Sequence, residues 1–365
     1  MGACNGLIIF RIIFMEKEQQ IISTEDIVET LDSYLAKYTY DRLFVLVDET
    51  TKEKCWPLIA DMERLKNAHL IVIQPTDTHK DICSLGHVWD ELQQHGATRH
   101  SMMVNLGGGM VTDLGGFAAS TFKRGIQFIN IPTTLLAMVD ASTGGKTGIN
   151  WGGLKNEIGV FNNAQEVIIA TEFLKTLDQE NMCSGYAEMI KHGIISNEEM
   201  LSELFTFDIH EPDLKKLDKM ILLSVGFKSK ITNIDPLEQN VRKALNFGHT
   251  FGHAFESFAM RRQPILHGYA VAYGMICELY LSVIKEGFPE SIFRNTVNYI
   301  HLHYGKMDIS CDDYAELIEL MTHDKKNTGD TINFTLVSNV GELCLNSTAT
   351  RAQLIEALDF YRDGQ

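Results

Sequence analysis

Residues 246–253 (NFGHTFGH) place His249 and His253 four positions apart. On a helix this spacing puts both on one face. His267 follows in 266–268 (LHG), and Glu188 lies in 185–192 (GYAEMIKH). Neutral imidazoles with one carboxylate form a typical catalytic Zn²⁺ set that keeps one coordination position open. By spacing alone, a surface pair or a packed core pair is the more frequent reading of two such histidines. H-E-x-x-H is excluded, because Thr250 stands where a zinc peptidase carries its glutamate.

A second kind of chemistry is concentrated in residues 105–161. Four glycine clusters there are interleaved with Lys123, Arg124, Lys146 and Lys155. Glycine lets backbone N–H groups approach an anion, and lysine and arginine neutralise it. Gly107, Gly108 and Gly109 end an apolar run and precede a helical pattern, the place where a dinucleotide pyrophosphate rests on free N–H groups. The spacing is not G-x-G-x-x-G, since Thr112 holds the last position. A Walker A loop around Lys146 is excluded because Asp140 replaces its first glycine. Asp48 follows another apolar run, where it suits a ribose hydroxyl or a helix N-cap equally. Lys191, Lys228, Arg242, Lys243, Lys325 and Lys326 add cations. Singly they read as solvated charges; beside metal ligands they read as a pocket for an anionic substrate.

The elements that must position these groups change in kind along the chain. Short apolar runs at 43–47, 70–73, 102–106, 126–131 and 167–170 alternate with helical patterns such as 24–38 and 113–122. Alternation of this kind implies a parallel sheet covered by helices. Beyond about residue 176 the segments read as amphipathic helices, with 333–337 (NFTLV) the main strand-like exception. The expected organisation is an α/β, Rossmann-like domain with a parallel sheet over 1–178 and an all-α domain over 179–365.

Bulk properties narrow the function. The chain has 365 residues, enough for two cores, and a net charge of −16. Such an acidic chain is not a nucleic-acid binder, and any anion site must be a local basic pocket. Seven scattered cysteines without a C-x-x-C pair argue for a reduced, cytoplasmic protein. Residues 7–14 (LIIFRIIF) are too short to span a bilayer. They read as a strand, or as sequence ahead of a true start at Met15.

With these pieces placed, the chain resembles the 3-dehydroquinate synthases of the shikimate pathway, within the sugar-phosphate cyclase superfamily. The resemblance spans roughly residues 40–345. Its motifs are GGGMVTDLGGFAASTFKRG, IPTTLLAMVDASTGGKTGIN, GYAEMIKHG, RKALNFGHTFGHAFE, LHGYAVAYGM and HDKKN. It implies an NAD-binding α/β domain, a helical domain, and a Zn²⁺ or Co²⁺ centre held by Glu188, His249 and His267. It places Asp48, Asp77, Lys80, Gly108, Gly109, Asp113, Thr133 and Thr134 at the cofactor, joined by Lys146, Lys155, Thr176 and Leu177. It places Asp140, Lys146, Asn156, Lys191, Lys228, Arg242, Asn246 and His253 at the substrate, with Lys325 or Lys326 on its phosphate. His253, Lys146, Asn246 and Lys191 are the catalytic candidates. Arg124 matches a residue that reaches the neighbouring subunit's substrate, which implies a homodimer. Asp77 and Thr50 replace the family's usual Glu and Asn near the adenosine half of NAD. The implied substrate is a phosphorylated sugar acid, and nucleic acid and membrane are not expected partners. A metal-dependent polyol dehydrogenase, another sugar-phosphate cyclase and a non-catalytic NAD-binding protein are the rival readings.

Overall fold

The computed structural model describes residues 19–152, 154–322 and 332–364. The strand reading of 7–14 and the lysines 325 and 326 lie outside these residues. The first half builds β1 (Gln20–Ser23), β2 (Leu43–Asp48), β3 (His69–Ile73), β4 (Met102–Gly107), β5 (Gln127–Pro132), β6 (Lys146–Trp151), β7 (Leu154–Phe161) and β8 (Glu166–Ile169). Six of them form a sheet of order β1-β8-β5-β4-β2-β3, with every pairing parallel. β2, β4 and β8 are buried at every residue, so they read as nearly continuous apolar runs, broken only by Asn105 in β4 and by Asp48 and Glu166 at the ends of β2 and β8.

Helices α1 (Ile27–Leu35), α2 (Glu49–Lys54), α3 (Ile82–Gln94) and α4 (Gly109–Thr121) connect these strands. The chain adds β3 on one side of β2 and then returns to lay β4 on the other. Strand order reverses there, and open α/β sheets bind ligands outside the carboxyl ends at such a point. Asp48 ends β2 and Gly107 ends β4. Asp48 caps α2, its carboxylate accepting from the Thr51 amide at 2.7 Å. The cap reading of Asp48 is therefore realised, and any ribose contact shares that carboxylate.

Two parts of this half were not anticipated. β1 is a four-residue edge strand paired with β8. β6 and β7 form an antiparallel hairpin where the sequence showed glycine-rich loop. Part of that glycine content serves packing. A Cβ at Gly115 would lie 2.2 Å from Asn105 Oδ1, and one at Gly116 would lie 2.5 Å from Thr147 Cγ2.

The second half comprises α5 (Gln179–Ser196), α6 (Glu198–Thr206), α7 (Leu214–Ile234), α8 (His249–Met260), α9 (His267–Glu286), α10 (Glu290–Tyr304), α11 (Tyr314–Thr322) and α12 (Arg351–Asp363). It also carries an antiparallel ribbon, β9 (Asn333–Asn339) with β10 (Glu342–Thr348), so it is helical but not all-α. α8 and α9 cross so closely that a Cβ at Gly274 would lie 2.0 Å from the Gly248 carbonyl oxygen and 2.6 Å from Gly252 N. Among the described residues, no helix is long and apolar enough to cross a membrane.

Candidate active site and metal centre

Three helices bring Glu188, His249 and His267 together. Their ligand atoms all lie within 4.8 Å of one another. Glu188 comes from the buried middle of α5, while His249 and His267 open α8 and α9. Nε2 of His249 is 3.5 Å and Nε2 of His267 is 3.6 Å from the same oxygen, Glu188 Oε1. Ligand bonds of about 2.1 Å in a tetrahedron put donor atoms about 3.4 Å apart, so the triad has the size of a Zn²⁺ site. Apart from its ion pair with Lys191, neither oxygen of this fully buried carboxylate has a hydrogen-bond partner among the described residues.

The outer nitrogens are held. His249 Nδ1 lies 3.0 Å from the Phe247 carbonyl oxygen, and His267 Nδ1 lies 3.3 Å from Glu256 Oε2. Each contact fixes the tautomer that turns Nε2 toward Glu188. Burial works against a charged His267, yet the Glu256 and Glu188 carboxylates prevail and raise its pKa to about 10. Burial likewise opposes the Glu188 charge, but Lys191 and His267 hold its carboxyl well below the usual range. The pocket's field favours a cation where the three groups meet. The residues fit a divalent metal ion.

Beside this centre lies a ring of paired charges. Residues Ala137–Ala141 form a single π-helical turn carrying Asp140. Lys228, on α7, donates to Asp140 Oδ1 at 2.7 Å. Arg242 is buried and donates to the carbonyls of Pro236 at 2.6 Å and Gly144 at 2.8 Å. Lys146 pairs with Glu238, and Glu238 also accepts from Asn246 Nδ2 at 2.6 Å. Glu238 holds φ +59°, an unusual value for a residue with a side chain. Burial pulls the pKa of Lys228 and Lys146 down, against the carboxylates beside them. His253 stacks edge-on to His249, with ring centroids 5.3 Å apart, and its ring centroid is 5.9 Å from that of His267.

Several of the expected cofactor residues contact one another near the start of α4 and the β6–β7 hairpin. α4 begins at Gly109 with Gly108 as N-cap and no side-chain cap, which suits an anion. A Cβ at Gly108 would come within 3.1 Å of Thr134, so that residue bounds the same space. Thr133 donates its amide to Gly107 at 3.0 Å, and Thr176 Oγ1 donates to the Phe173 carbonyl at 3.0 Å. Leu177 packs on the core next to them. Lys80 pairs with Asp113 at 2.9 Å and Asp77 at 3.4 Å. Lys155 pairs with Asp77 at 3.0 Å and with Glu256 at 2.7 Å. Asn156 is exposed at φ +51° in the hairpin, its amide bonded to Asn150 Oδ1. Arg124 takes no part in these ion pairs among the described residues; it stands exposed at φ +69° on the turn after α4.

Three acidic residues here were not singled out from the sequence: Glu238, Glu256 and Glu278. Glu256 had a signal, because it lies seven positions after His249 and so shares a helix face with it. Glu238 and Glu278 meet their partners only through tertiary contact.

A parallel sheet with a strand-order reversal, faced by helices that converge two histidines and a carboxylate, defines an α/β-plus-helical metalloenzyme class. Comparison with known proteins narrows that class. A family model described as "3-dehydroquinate synthase N-terminal" matches residues 70–184, and one described as "3-dehydroquinate synthase C-terminal" matches 185–327. The 3-dehydroquinate synthase of Parabacteroides distasonis is 50% identical over 95% of this chain and 98% of its own length. Among solved structures, 2-deoxy-scyllo-inosose synthase with carbaglucose-6-phosphate, NAD⁺ and Co²⁺ superposes with TM-score 0.83 at 23% identity, covering 94% of this chain and 96% of its own. 2-Epi-5-epi-valiolone synthase from Streptomyces hygroscopicus, with NAD⁺ and Zn²⁺, gives 0.82 at 21% identity, with coverage of 96% and 98%. These two share the fold. The chain belongs to the 3-dehydroquinate synthase family.

Proposed function

We propose that this chain converts 3-deoxy-D-arabino-heptulosonate 7-phosphate to 3-dehydroquinate and phosphate, using NAD and Zn²⁺ or Co²⁺, as a cytoplasmic homodimer. The observation that carries the reading is the convergence of Glu188, His249 and His267 beside Lys191 and the Asp140–Lys228 pair. NAD and Co²⁺ or Zn²⁺ in the structural neighbours support the cofactor pair. In this reading residues 1–178 bind NAD and residues 179–365 hold metal and substrate. The division falls at Asp178, the N-cap of α5.

Bound NAD⁺ would accept and return a hydride at C5, and the metal ion would polarise the neighbouring hydroxyls. Lys146, Lys191, Lys228 and Arg242 neutralise the substrate's carboxylate and phosphate. Asp140 and Glu238 hold two of these lysines in place until the anion takes them over. Asn156 and Asn246 orient hydroxyls. His253 relays the C5 hydroxyl proton from its place one helical turn after His249. Once C5 is a ketone, the adjoining C–H is acidic, and phosphate leaves with the C–O electron pair and takes that proton. Ring opening and aldol closure follow reduction. Orientation of cofactor, metal and sugar in one cleft is worth about 7–11 kcal/mol.

Phosphate release from this substrate with NAD⁺ and Zn²⁺, followed together with absorbance at 340 nm, tests the reading. Release without net NADH is expected; NADH accumulating with a simple polyol would move the chain to the dehydrogenases. In the same assay, His253→Ala should lower kcat by about 10²–10⁴-fold with the metal retained. An unchanged kcat would remove His253 from proton relay.

The dimer is supported by the β6–β7 hairpin. Trp151, Leu154 and Phe161 are each more than half exposed on it. Asn162 beside it bonds Ser120, near the Arg124 turn, at 2.8 Å. Light scattering should give a dimer mass for the wild type and a monomer for the Trp151→Lys, Phe161→Lys double variant. A dimer mass for the double variant would place the interface elsewhere.

A further inference from the structure

We propose that Glu256 is a positioning residue that fixes His267 and, through Lys155, couples metal affinity to dinucleotide binding. The inference rests on Glu188, His249 and His267 being the metal centre. Glu256 is buried on α8 and divides its two oxygens between the halves of the molecule. Oε2 lies 3.3 Å from His267 Nδ1, and Oε1 accepts from Lys155 Nζ at 2.7 Å. Lys155 belongs to β7, in the α/β half.

The contacts continue beyond Lys155. Its ammonium also lies 3.0 Å from Asp77 Oδ2. Asp77 Oδ1 is 3.4 Å from Lys80 Nζ, which in turn pairs with Asp113 Oδ2 at 2.9 Å. Asp113 is on α4, the helix whose uncapped N-terminus closes the strand-order reversal. Charges thus alternate without a gap from the dinucleotide side of the cleft to a metal ligand. Lys80 and Glu256 are both buried, so each depends on its neighbours for compensation.

The physical consequence runs through the imidazole. An imidazole that donates its outer N–H to a carboxylate is oriented by it and is a stronger ligand. Lys155 and His267 share the single negative charge of this carboxylate, each through its own oxygen. A dinucleotide that draws Lys155 or Asp77 into its own contacts leaves Glu256 more fully to His267. Metal binding should therefore strengthen when the dinucleotide binds, and linkage requires the reverse effect to be equal. A salt bridge that only held the two halves together would leave metal affinity independent of the dinucleotide.

The test is Co²⁺ titration of the metal-stripped full chain, read by visible absorption and chelator competition, with and without saturating NAD⁺. In the wild type NAD⁺ should tighten Co²⁺ by about fivefold or more. Glu256→Gln, which keeps the shape of the side chain, should weaken Co²⁺ by roughly 10–100-fold and abolish the NAD⁺ effect. Lys155→Met should retain Co²⁺ binding and lose the NAD⁺ effect. Glu256→Gln binding Co²⁺ within about twofold of wild type would overturn the proposal. Should that variant not fold, Lys155→Met with an undiminished NAD⁺ effect would overturn it instead. A wild-type chain that binds no Co²⁺ would sink the metal centre itself, which is a separate and recognisable result.

Discussion

His249→Ala should abolish turnover. The substitution removes one of three donors and leaves Glu188 and His267, whose closest atoms are 3.6 Å apart, facing a gap. Lewis-acid assistance is worth several kcal/mol, and 1.36 kcal/mol is a tenfold change, so phosphate release should fall by about three orders of magnitude or more. Metal content by atomic absorption should fall with it. Chelation of the wild type should give the same loss, and added Zn²⁺ should restore the wild type but not the variant. His249 is nearly buried, so unchanged far-UV circular dichroism must accompany the result. A His249→Ala protein with full metal content and near-normal turnover would remove this residue from the centre.

The second large effect concerns stability. Glu278 is fully buried on α9, yet its carboxylate receives the backbone N–H groups of Gly248 at 2.7 Å, Thr250 at 2.9 Å and Phe251 at 3.3 Å. These are the orphan donors at the start of α8, and the anion also meets the positive end of that helix. Glu278→Ala strands several buried donors at once. The expected cost is about 3 kcal/mol or more, read as a lower urea midpoint. Glu278→Gln retains one acceptor oxygen and should cost less. Because His249 directly follows Gly248, the alanine variant should also bind metal more weakly. An unchanged midpoint for Glu278→Ala would mean that solvent or another group caps α8.

Five parallel strands were legible because burial on both faces leaves runs such as residues 43–47 uniformly apolar. β1 was not, since four residues at a sheet edge carry too little pattern. The β6–β7 hairpin was hidden for a different reason. Its glycines at 148 and 159 face each other so closely that a Cβ on Gly159 would lie 2.1 Å from the Thr147 carbonyl oxygen. They are packing residues with the composition of a phosphate loop. β10 was missed because its residues are only partly buried and show no apolar run.

At the site, the histidine spacing drew attention to His249 and His253, but only His249 joins the triad; His267 was placed there by family resemblance. The ligands' supporting carboxylates could not be read. Glu256 shares a helix face with His249, but neither its partner Lys155 nor the partners of Glu278 can be read until α8, α9 and the hairpin are assembled around them. The Lys146–Glu238 pair likewise joins residues 92 positions apart in sequence (238 − 146).

The close crossing of α8 and α9 has a consequence for how this scaffold changes over time. Backbone meets backbone at Gly274, Gly248 and Gly252, so no side chain is left there to be trimmed or enlarged. The two helices that deliver His249 and His267 form a jaw of fixed gauge. A shift toward a different phosphorylated sugar would have to be written in the adjustable parts around that jaw: the π-helical turn at Asp140, the Glu238 loop and the β6–β7 hairpin. The bite of the metal on its two imidazoles would pass unchanged through such a history.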